Sequence, residues 1–267
     1  MGFDRKMGRL ISAVIFALFL AGCSGEKAKT PGERRICSLS TAGSAVLCLL
    51  DTAPAAVDCY GTLVVPENTP VAGRGSAISV ETLMSLKINT VLLWSYQVPA
   101  MEHLKRYGVE LFPLEPCRLK DFPEMVLKLG QLVNKEKEAA LLAGRFKEKL
   151  ALEAVSGKPL KRVYAELYTR NRGAGDLSYT GDLLRAAGGK SVLEKSALCG
   201  TEYLIQKDPE VIFFVEGMTT AEEIMKRNGY SALTAVKRKA VFPVPRRLLI
   251  EGAYPLEAIA YFKKRMN

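Results

Sequence analysis

Two stretches of this chain, far apart in the sequence, follow the same residue pattern. The stretch VETLMSLKINTVLLW begins at Val80 and TEYLIQKDPEVIFFV begins at Thr201. In each, a Glu at the second position precedes a short apolar helical turn and then a run of β-forming residues. Glu202 lies 121 residues after Glu81. Because solenoid repeats are only roughly 20–50 residues long, this offset predicts two similar lobes.

Predicted strands and helices alternate within each half of the chain. The first half runs from a strand at RICSLS through a helix at TAGSAVLCLL and a strand at AAVDCY, with PVAGRGS as a glycine-rich loop. The second half repeats this plan from KRVYAELY to YPLEAIAYFKKR. Such alternation predicts a parallel sheet covered on both faces. We therefore predict an α/β fold with parallel-sheet lobes over 35–119 and 157–267.

A segment of different character separates these lobes. Apolar residues recur at helical spacing opposite a face of Lys and Glu, namely Ala139, Leu142, Ala143, Phe146 and Leu150. They predict one long, rigid amphipathic helix over 120–156, with a break near Asn134 as the alternative. Two lobes joined in this way leave a single ligand cleft between the carboxyl ends of their sheets.

The first residues predict export. Three cations precede an apolar run from Leu10 to Ala21, which is shorter than the roughly 20 residues of a membrane-spanning helix. Leu20-Ala21-Gly22-Cys23 resembles the lipobox of bacterial lipoproteins. This resemblance implies a signal peptide over 1–22, lipidation of Cys23 and a polar tether over 23–34. We expect a lipid-anchored protein in the periplasm or on the outer face of the cytoplasmic membrane.

The charge distribution and the absence of catalytic motifs restrict the classes of function that this chain can have. The chain carries a formal net charge of +10, but its cations are scattered, and export argues against nucleic acid as a partner. No GxSxG, HExxH, Walker or CxxC motif occurs, and His103 is the only histidine, so we do not expect an enzyme. Besides Cys23 there are five cysteines, of which Cys59, Cys117 and Cys199 are the better candidates for a disulfide.

The order and spacing of these segments resemble class III, or helical-backbone, periplasmic binding proteins. These proteins are ABC-importer receptors for ferric siderophores, heme and cobalamin, and the matching segments span nearly all of residues 35–262. The resemblance implies a monomer without a cofactor, in which one helix limits the lobes to small hinge motions. It further implies that Glu81 and Glu202 dock onto basic residues of an inner-membrane permease and ATPase complex. One departure is Thr41-Ala42-Gly43-Ser44, where the family usually has a Ser-Pro or Ser-Thr-Glu turn.

Loops at the predicted strand ends supply candidate ligand contacts. They contain Thr41, Tyr60, Arg74, Trp94, Tyr96 and Gln97 in the first lobe, and Tyr168, Arg170, Arg172, Met218, Arg246 and Arg247 in the second. Flat aromatic faces suit a macrocycle or a catechol ring, and Tyr60 and Trp94 resemble the aromatic walls of the cobalamin receptor. Planar arginine forks suit carboxylates and other oxyanions.

The cargo predicted from these contacts is a metal chelate. A ferric siderophore ranks first because of the arginines, a corrinoid second, and heme third because heme would need Tyr or Met as its iron ligand. A non-transport sensor or adhesin lipoprotein with the same fold is the alternative from another class of function.

Overall fold

The computed structural model describes residues 34–153 and 159–267. The predicted signal peptide (1–22), Cys23 and the tether up to residue 33 lie outside these ranges. Residues Arg34–Asn267 form one compact unit. No helix in the two described ranges has both the length and the apolar character needed to cross a lipid bilayer.

The first lobe is built on a six-stranded sheet with the order β4-β3-β2-β1-β5-β6. Its strands are β1 (Ile36–Ser38), β2 (Ala56–Asp58), β3 (Val71–Arg74), β4 (Ala77–Ile78), β5 (Thr90–Trp94) and β6 (Glu110–Leu114). All neighbouring strands are parallel except β3 and β4, which form a hairpin where a glycine-rich loop was predicted. The helices of this lobe are α1 (Thr41–Leu49), α2 (Val80–Ser85) and α3 (Val98–Met101).

The segment predicted as one helix over 120–156 forms two helices in its described part, as the alternative with a break near Asn134 predicted. These are α4 (Phe122–Leu132) and α5 (Glu136–Glu153). Asn134 adopts a positive φ of 55°, which an α-helix cannot contain, so the chain reverses there. The two helices pack on each other, and the ring centres of Phe122 and Phe146 are 4.6 Å apart. Apolar spacing alone favoured an unbroken helix because the spacing continues on both sides of the reversal.

The second lobe has a second six-stranded sheet, in which β7, β9, β11 and β12 pair in parallel, whereas β8 pairs antiparallel with β7 and β10. Its strands are β7 (Lys161–Glu166), β8 (Arg172–Gly173), β9 (Gly189–Ser191), β10 (Ala197–Leu198), β11 (Val211–Val215) and β12 (Val241–Val244). The strand order is β10-β8-β7-β11-β12, and β9 also pairs with β7. The helices are α6 (Tyr179–Ala186), α7 (Thr201–Lys207), α8 (Ala221–Met225), α9 (Thr234–Lys237) and α10 (Pro255–Met266). This architecture confirms the two-lobed α/β fold.

The lobes are joined by more than the chain connection. Helix α4 packs on α1 of the first lobe, whereas α5, about 27 Å long, reaches α10 of the second. One hydrophobic cluster contains core residues of both sheets. In addition, Gly252 has a φ of 72° and packs against Met125 of α4, so that a Cβ there would displace the end of the Met125 side chain. Ala253 packs with Ala45 and Val64 of the first lobe.

The cysteines of the described ranges are all free thiols, so the disulfide predicted among Cys59, Cys117 and Cys199 is not formed. Cys117 and Cys199 are buried, while Cys59 is exposed. Burial raises the pKa of the Cys117 thiol to about 12. These two buried cysteines therefore act as small apolar core residues.

Candidate ligand-binding cleft

A cavity of about 660 Å³ lies between the two lobes, within the range of roughly 300–1,000 Å³ typical of small-molecule sites. Most of its lining residues follow the carboxyl ends of parallel strands, where open α/β sheets bind their ligands. The first lobe contributes Thr41, Ala42, Tyr60, Leu63, Trp94, Tyr96 and Pro116, and the second contributes Tyr168, Met218, Arg246, Ile250 and Glu251. Four aromatic side chains, from both lobes, therefore face one space.

Tyr60 is held in place from both of its ends. The buried carboxylate of Asp58 accepts hydrogen bonds from the backbone N–H groups of Tyr60, at 3.2 Å, and of Gly61, at 2.9 Å. At the other end, Arg74 Nε donates to the Tyr60 hydroxyl at 3.0 Å. Arg74 is thus a support for the aromatic wall and is not itself a lining residue.

Trp94 ends strand β5 and is fixed by the residue three positions later. Its backbone N–H donates to Gln97 Oε1 at 2.9 Å, and the Gln97 side chain is buried. Gln97, predicted as a cleft residue, therefore positions Trp94 from behind. Tyr96, between them, is 68% exposed and faces the cavity.

In the second lobe, a buried ion pair supports the turn that carries Tyr168. Arg227 donates to both carboxylate oxygens of Glu166, at 2.6 and 2.7 Å, and the two side chains are only 9% and 3% exposed. Glu166 also accepts the backbone N–H of Asn171 at 3.0 Å. The guanidinium carbon of Arg246 lies 5.6 Å from the centre of the Tyr168 ring, in a cation–π contact.

The predicted arginines are distributed differently from the expectation. Arg246 lines the cavity, and Arg170 lines a second cavity next to it. Arg172 is exposed on β8 and lines neither. Arg247 forms an ion pair with Glu257. The cavity is therefore less cationic than the sequence predicted, because Arg247 is paired with Glu257 and Arg172 lies outside the cavity.

Some lining residues were not predicted, and Glu251 is the most consequential. It follows the two predicted arginines in RRLLIEGAYP, so the strand-end loop extends further than the sequence analysis assumed. Within the described ranges its carboxylate has no hydrogen bond or ion pair. His103 lies on the surface, with Nδ1 3.1 Å from the carbonyl oxygen of Ala100.

A family model for periplasmic binding proteins matches residues 36–248 of this sequence. The chain belongs to the periplasmic binding protein family. The match spans both lobes and confirms the resemblance inferred from the sequence motifs. A search of curated proteins found no match.

Solved structures of similar fold include other periplasmic binding proteins. The periplasmic heme-binding protein BhuT in complex with two hemes is 18% identical with a TM-score of 0.77, covering 88% of this chain and 98% of BhuT. IsdE of S. aureus complexed with heme is 22% identical with a TM-score of 0.71, and the match covers 88% of this chain and 99% of IsdE. Helicobacter pylori CeuE with Ni(II) bound is 18% identical with a TM-score of 0.74, and the match covers 89% of this chain and 84% of CeuE. These likenesses establish the fold.

In this periplasmic binding protein, the two repeated glutamates occupy equivalent corners. Glu81 lies in the first turn of α2 and Glu202 in the first turn of α7, and both are exposed. Neither has an ion pair among the described residues. Met84 and Ile205, one helical turn later, are also exposed at 37% and 42%. The two corners thus match in both charge and apolar surface.

Replacing Glu251 by Gln is expected to stabilise the protein increasingly as the pH rises. Although Glu251 is accessible from the cavity, partial burial of its carboxyl raises the pKa from the ordinary 4.5. The folded state therefore holds the proton to higher pH than the unfolded state, and stability falls as the pH rises through the raised pKa. Because Gln does not titrate, the melting temperatures of Glu251→Gln and the unchanged protein should diverge as the pH rises from the ordinary 4.5 through the raised pKa, and then differ by a constant amount.

The exposed Glu67 provides the matched control for this measurement. It lies in the first lobe outside the cavity, so a Glu67→Gln variant with the same pH profile as Glu251→Gln would show that the cavity environment is not the cause. A constant difference between Glu251→Gln and the unchanged protein over the whole pH range would contradict the assignment.

Proposed function

We propose that this periplasmic binding protein is the substrate-binding receptor of an ABC importer, anchored by lipid at Cys23 outside the cytoplasmic membrane. It captures a metal chelate in the cavity between the lobes and delivers it to the permease. The observation that carries the proposal is the group of four aromatic side chains, contributed by both lobes, around one cavity with a single Arg and a single Glu.

The chemistry of this cavity favours a flat tetrapyrrole, either heme or a corrinoid. Aromatic rings bind a flat ring system by stacking and by burial of apolar surface. A highly anionic ferric siderophore would need several cations, and Arg246 is the only one among the cavity-lining residues. The hemes bound by BhuT and IsdE support this order of candidates. A siderophore with catechol rings is the second candidate, because those rings also stack on Tyr and Trp.

The two-sided cavity also supplies a mechanism for signalling that the ligand is bound. A ligand that touches Trp94 on one lobe and Tyr168 on the other favours the arrangement in which both walls contact it. The permease then recognises this arrangement through the corners at Glu81 and Glu202, whose charges set the orientation of docking and speed encounter with a cationic surface. No catalytic step is needed.

Trp94 allows the proposal to be tested directly, because it is the only tryptophan in the chain. Hemin, cyanocobalamin and a ferric tris-catecholate are titrated separately into the full-length protein, and the intrinsic fluorescence is recorded. Saturable quenching by one of the tetrapyrroles is expected, with the ligand recovered chemically unchanged. N-acetyltryptophanamide at the same absorbance corrects for light absorbed by the ligand. Failure of all three to quench or to shift in absorbance would contradict the proposal.

Trp94→Ala is expected to raise the Kd for the bound tetrapyrrole by about 10- to 30-fold, because one stacking face is lost. Ligand absorbance supplies the measurement, since the variant has no tryptophan. Tyr107→Ala is the control: Tyr107 is 48% exposed and does not line the cavity. An equal loss of affinity in both variants would argue against Trp94 as a ligand contact.

A further inference from the structure

A second cavity, of about 580 Å³, adjoins the cleft within the second lobe. Tyr168 and Met218 line both cavities, so the two spaces share a wall. We call the second cavity the annex, and its other lining residues are Glu166, Leu167, Arg170, Thr219, Glu223, Lys226, Arg227 and Asn228. The side chains of Tyr168 and Met218 are both exposed, at 43% and 47%, so the boundary between the cleft and the annex is formed by surface side chains.

The annex differs from the cleft in chemistry, because most of its walls are polar or charged. Most of its charges are already compensated. The Glu166 carboxylate is bound by Arg227 through two hydrogen bonds. Glu223 accepts hydrogen bonds from the Thr219 hydroxyl at 2.8 Å and from a backbone N–H, and these bonds lower its pKa. Lys226 forms an ion pair with Glu222 at 2.5 Å.

Arg170 is the exception among these charges. It is exposed, it lines the annex, and within the described ranges it has neither a hydrogen bond nor an ion pair. A guanidinium carries five N–H donors in a planar fork that matches a carboxylate or a phosphate. The turn that carries Arg170 is itself fixed, because Glu166 accepts the N–H of Asn171. The Arg170 guanidinium is therefore carried by a turn that a hydrogen bond holds in place.

We propose that the annex binds an acidic side arm of the same chelate whose flat body lies in the cleft. The arm, a carboxylate or a phosphate, passes between Tyr168 and Met218 and meets the guanidinium of Arg170. Met218 suits this position because its flexible, polarisable side chain adapts to an irregular ligand. The cleft and the annex together would then distinguish chelates with an acidic arm from those without one. This inference rests on the function proposed above.

The test compares two pairs of ligands that differ in the acidic arm. Hemin has two carboxylates, which are blocked in hemin dimethyl ester. Cyanocobalamin has a phosphate in its nucleotide arm, which dicyanocobinamide lacks. Arg170→Ala should weaken binding of the acid-bearing member of one pair by about 10- to 100-fold and leave its partner unchanged. A selective loss of affinity for hemin over its dimethyl ester identifies a carboxylate arm. A selective loss of affinity for cyanocobalamin over dicyanocobinamide identifies a phosphate arm.

Two further variants make the result specific. Arg172 lies two residues later, is also exposed and lines neither cavity, so Arg172→Ala should bind all four ligands as the unchanged protein does. Arg170→Lys retains the charge without the fork and should give an intermediate affinity. Circular dichroism spectra check that each variant is folded.

The outcomes separate this inference from the proposed function. If the unchanged protein binds a tetrapyrrole but Arg170→Ala weakens both members of a pair equally, or weakens neither, the annex does not bind an acidic arm. If Arg172→Ala has the same effect as Arg170→Ala, the effect is one of net charge and the inference is overturned. If none of the four tetrapyrroles binds to the unchanged protein, the preference for a tetrapyrrole fails together with this inference, and the ferric tris-catecholate titration decides the proposed function separately.

Discussion

Uptake is expected to fall to background when Glu81 and Glu202 are both replaced by lysine, while ligand affinity stays as in the unchanged protein. The two carboxylates are exposed on equivalent corners, and neither lines the cleft. In the proposed docking, reversing their charge would place lysine against a cationic permease surface, and like charges at an interface cost several kcal/mol. Uptake of labelled ligand by cells that carry the Glu81→Lys, Glu202→Lys double variant supplies the first measurement, and fluorescence titration of the purified protein supplies the second.

The control makes the same change in net charge elsewhere on each lobe. Glu67 and Glu194 are exposed, and neither has an ion pair among the described residues. Cells with Glu67→Lys and Glu194→Lys should therefore import the ligand normally. Continued uptake by the Glu81 and Glu202 variant would show that these residues do not dock the permease. A protein that binds its ligand but supports no uptake even when unchanged would favour the sensor or adhesin alternative.

Replacing Arg227 by Met should lower the free energy of unfolding by about 3–5 kcal/mol, the typical effect of removing one partner of a buried ion pair. The Glu166 carboxylate would remain 3% exposed without a countercharge. Met retains most of the side-chain volume of Arg. The loss of stability therefore measures the contribution of the Arg227 charge and its hydrogen bonds. Urea denaturation followed by circular dichroism measures the change in unfolding free energy.

Arg247 provides a control with the same type of partner in a different environment. Its guanidinium also binds both oxygens of a glutamate, Glu257, but these side chains are 44% and 49% exposed. Arg247→Met should therefore cost only about 0–1 kcal/mol. Equal losses in the two variants would mean that burial of the Glu166–Arg227 pair does not determine its contribution.

The sequence predicted those features that depend on local pattern. The run of β-formers that ends VETLMSLKINTVLLW forms strand β5, Thr90–Trp94, after the short helical turn predicted before it. The duplication predicted equivalent positions for Glu81 and Glu202, and both begin short helices. Residues at predicted strand ends, including Trp94 and Tyr168, lie in the cavity wall because the carboxyl ends of parallel strands converge there.

The features that the sequence analysis missed depend on partners distant in sequence. Arg74 was predicted to contact ligand, but it binds the hydroxyl of Tyr60, 14 residues away. The same limit applies to Arg247, whose partner Glu257 is on the next helix. At Asn134 the sequence left an unbroken helix and a broken one as alternatives, since a positive φ at a single Asn leaves the helical pattern on each side intact. Strands of two residues, such as β8 and β10, carry too little periodicity to be recognised.

The segment that follows Ile250 has a consequence for how the protein melts. Gly252 and Ala253 belong to the second lobe by sequence but pack on Met125, Ala45 and Val64, so separating the lobes would expose apolar surface on both. Domains joined only by a linker commonly unfold one at a time, each with its own midpoint. Here the two lobes are expected to lose their structure together, in one cooperative transition. A ligand held in the cleft then raises the midpoint of the whole unit, because it binds only the folded state.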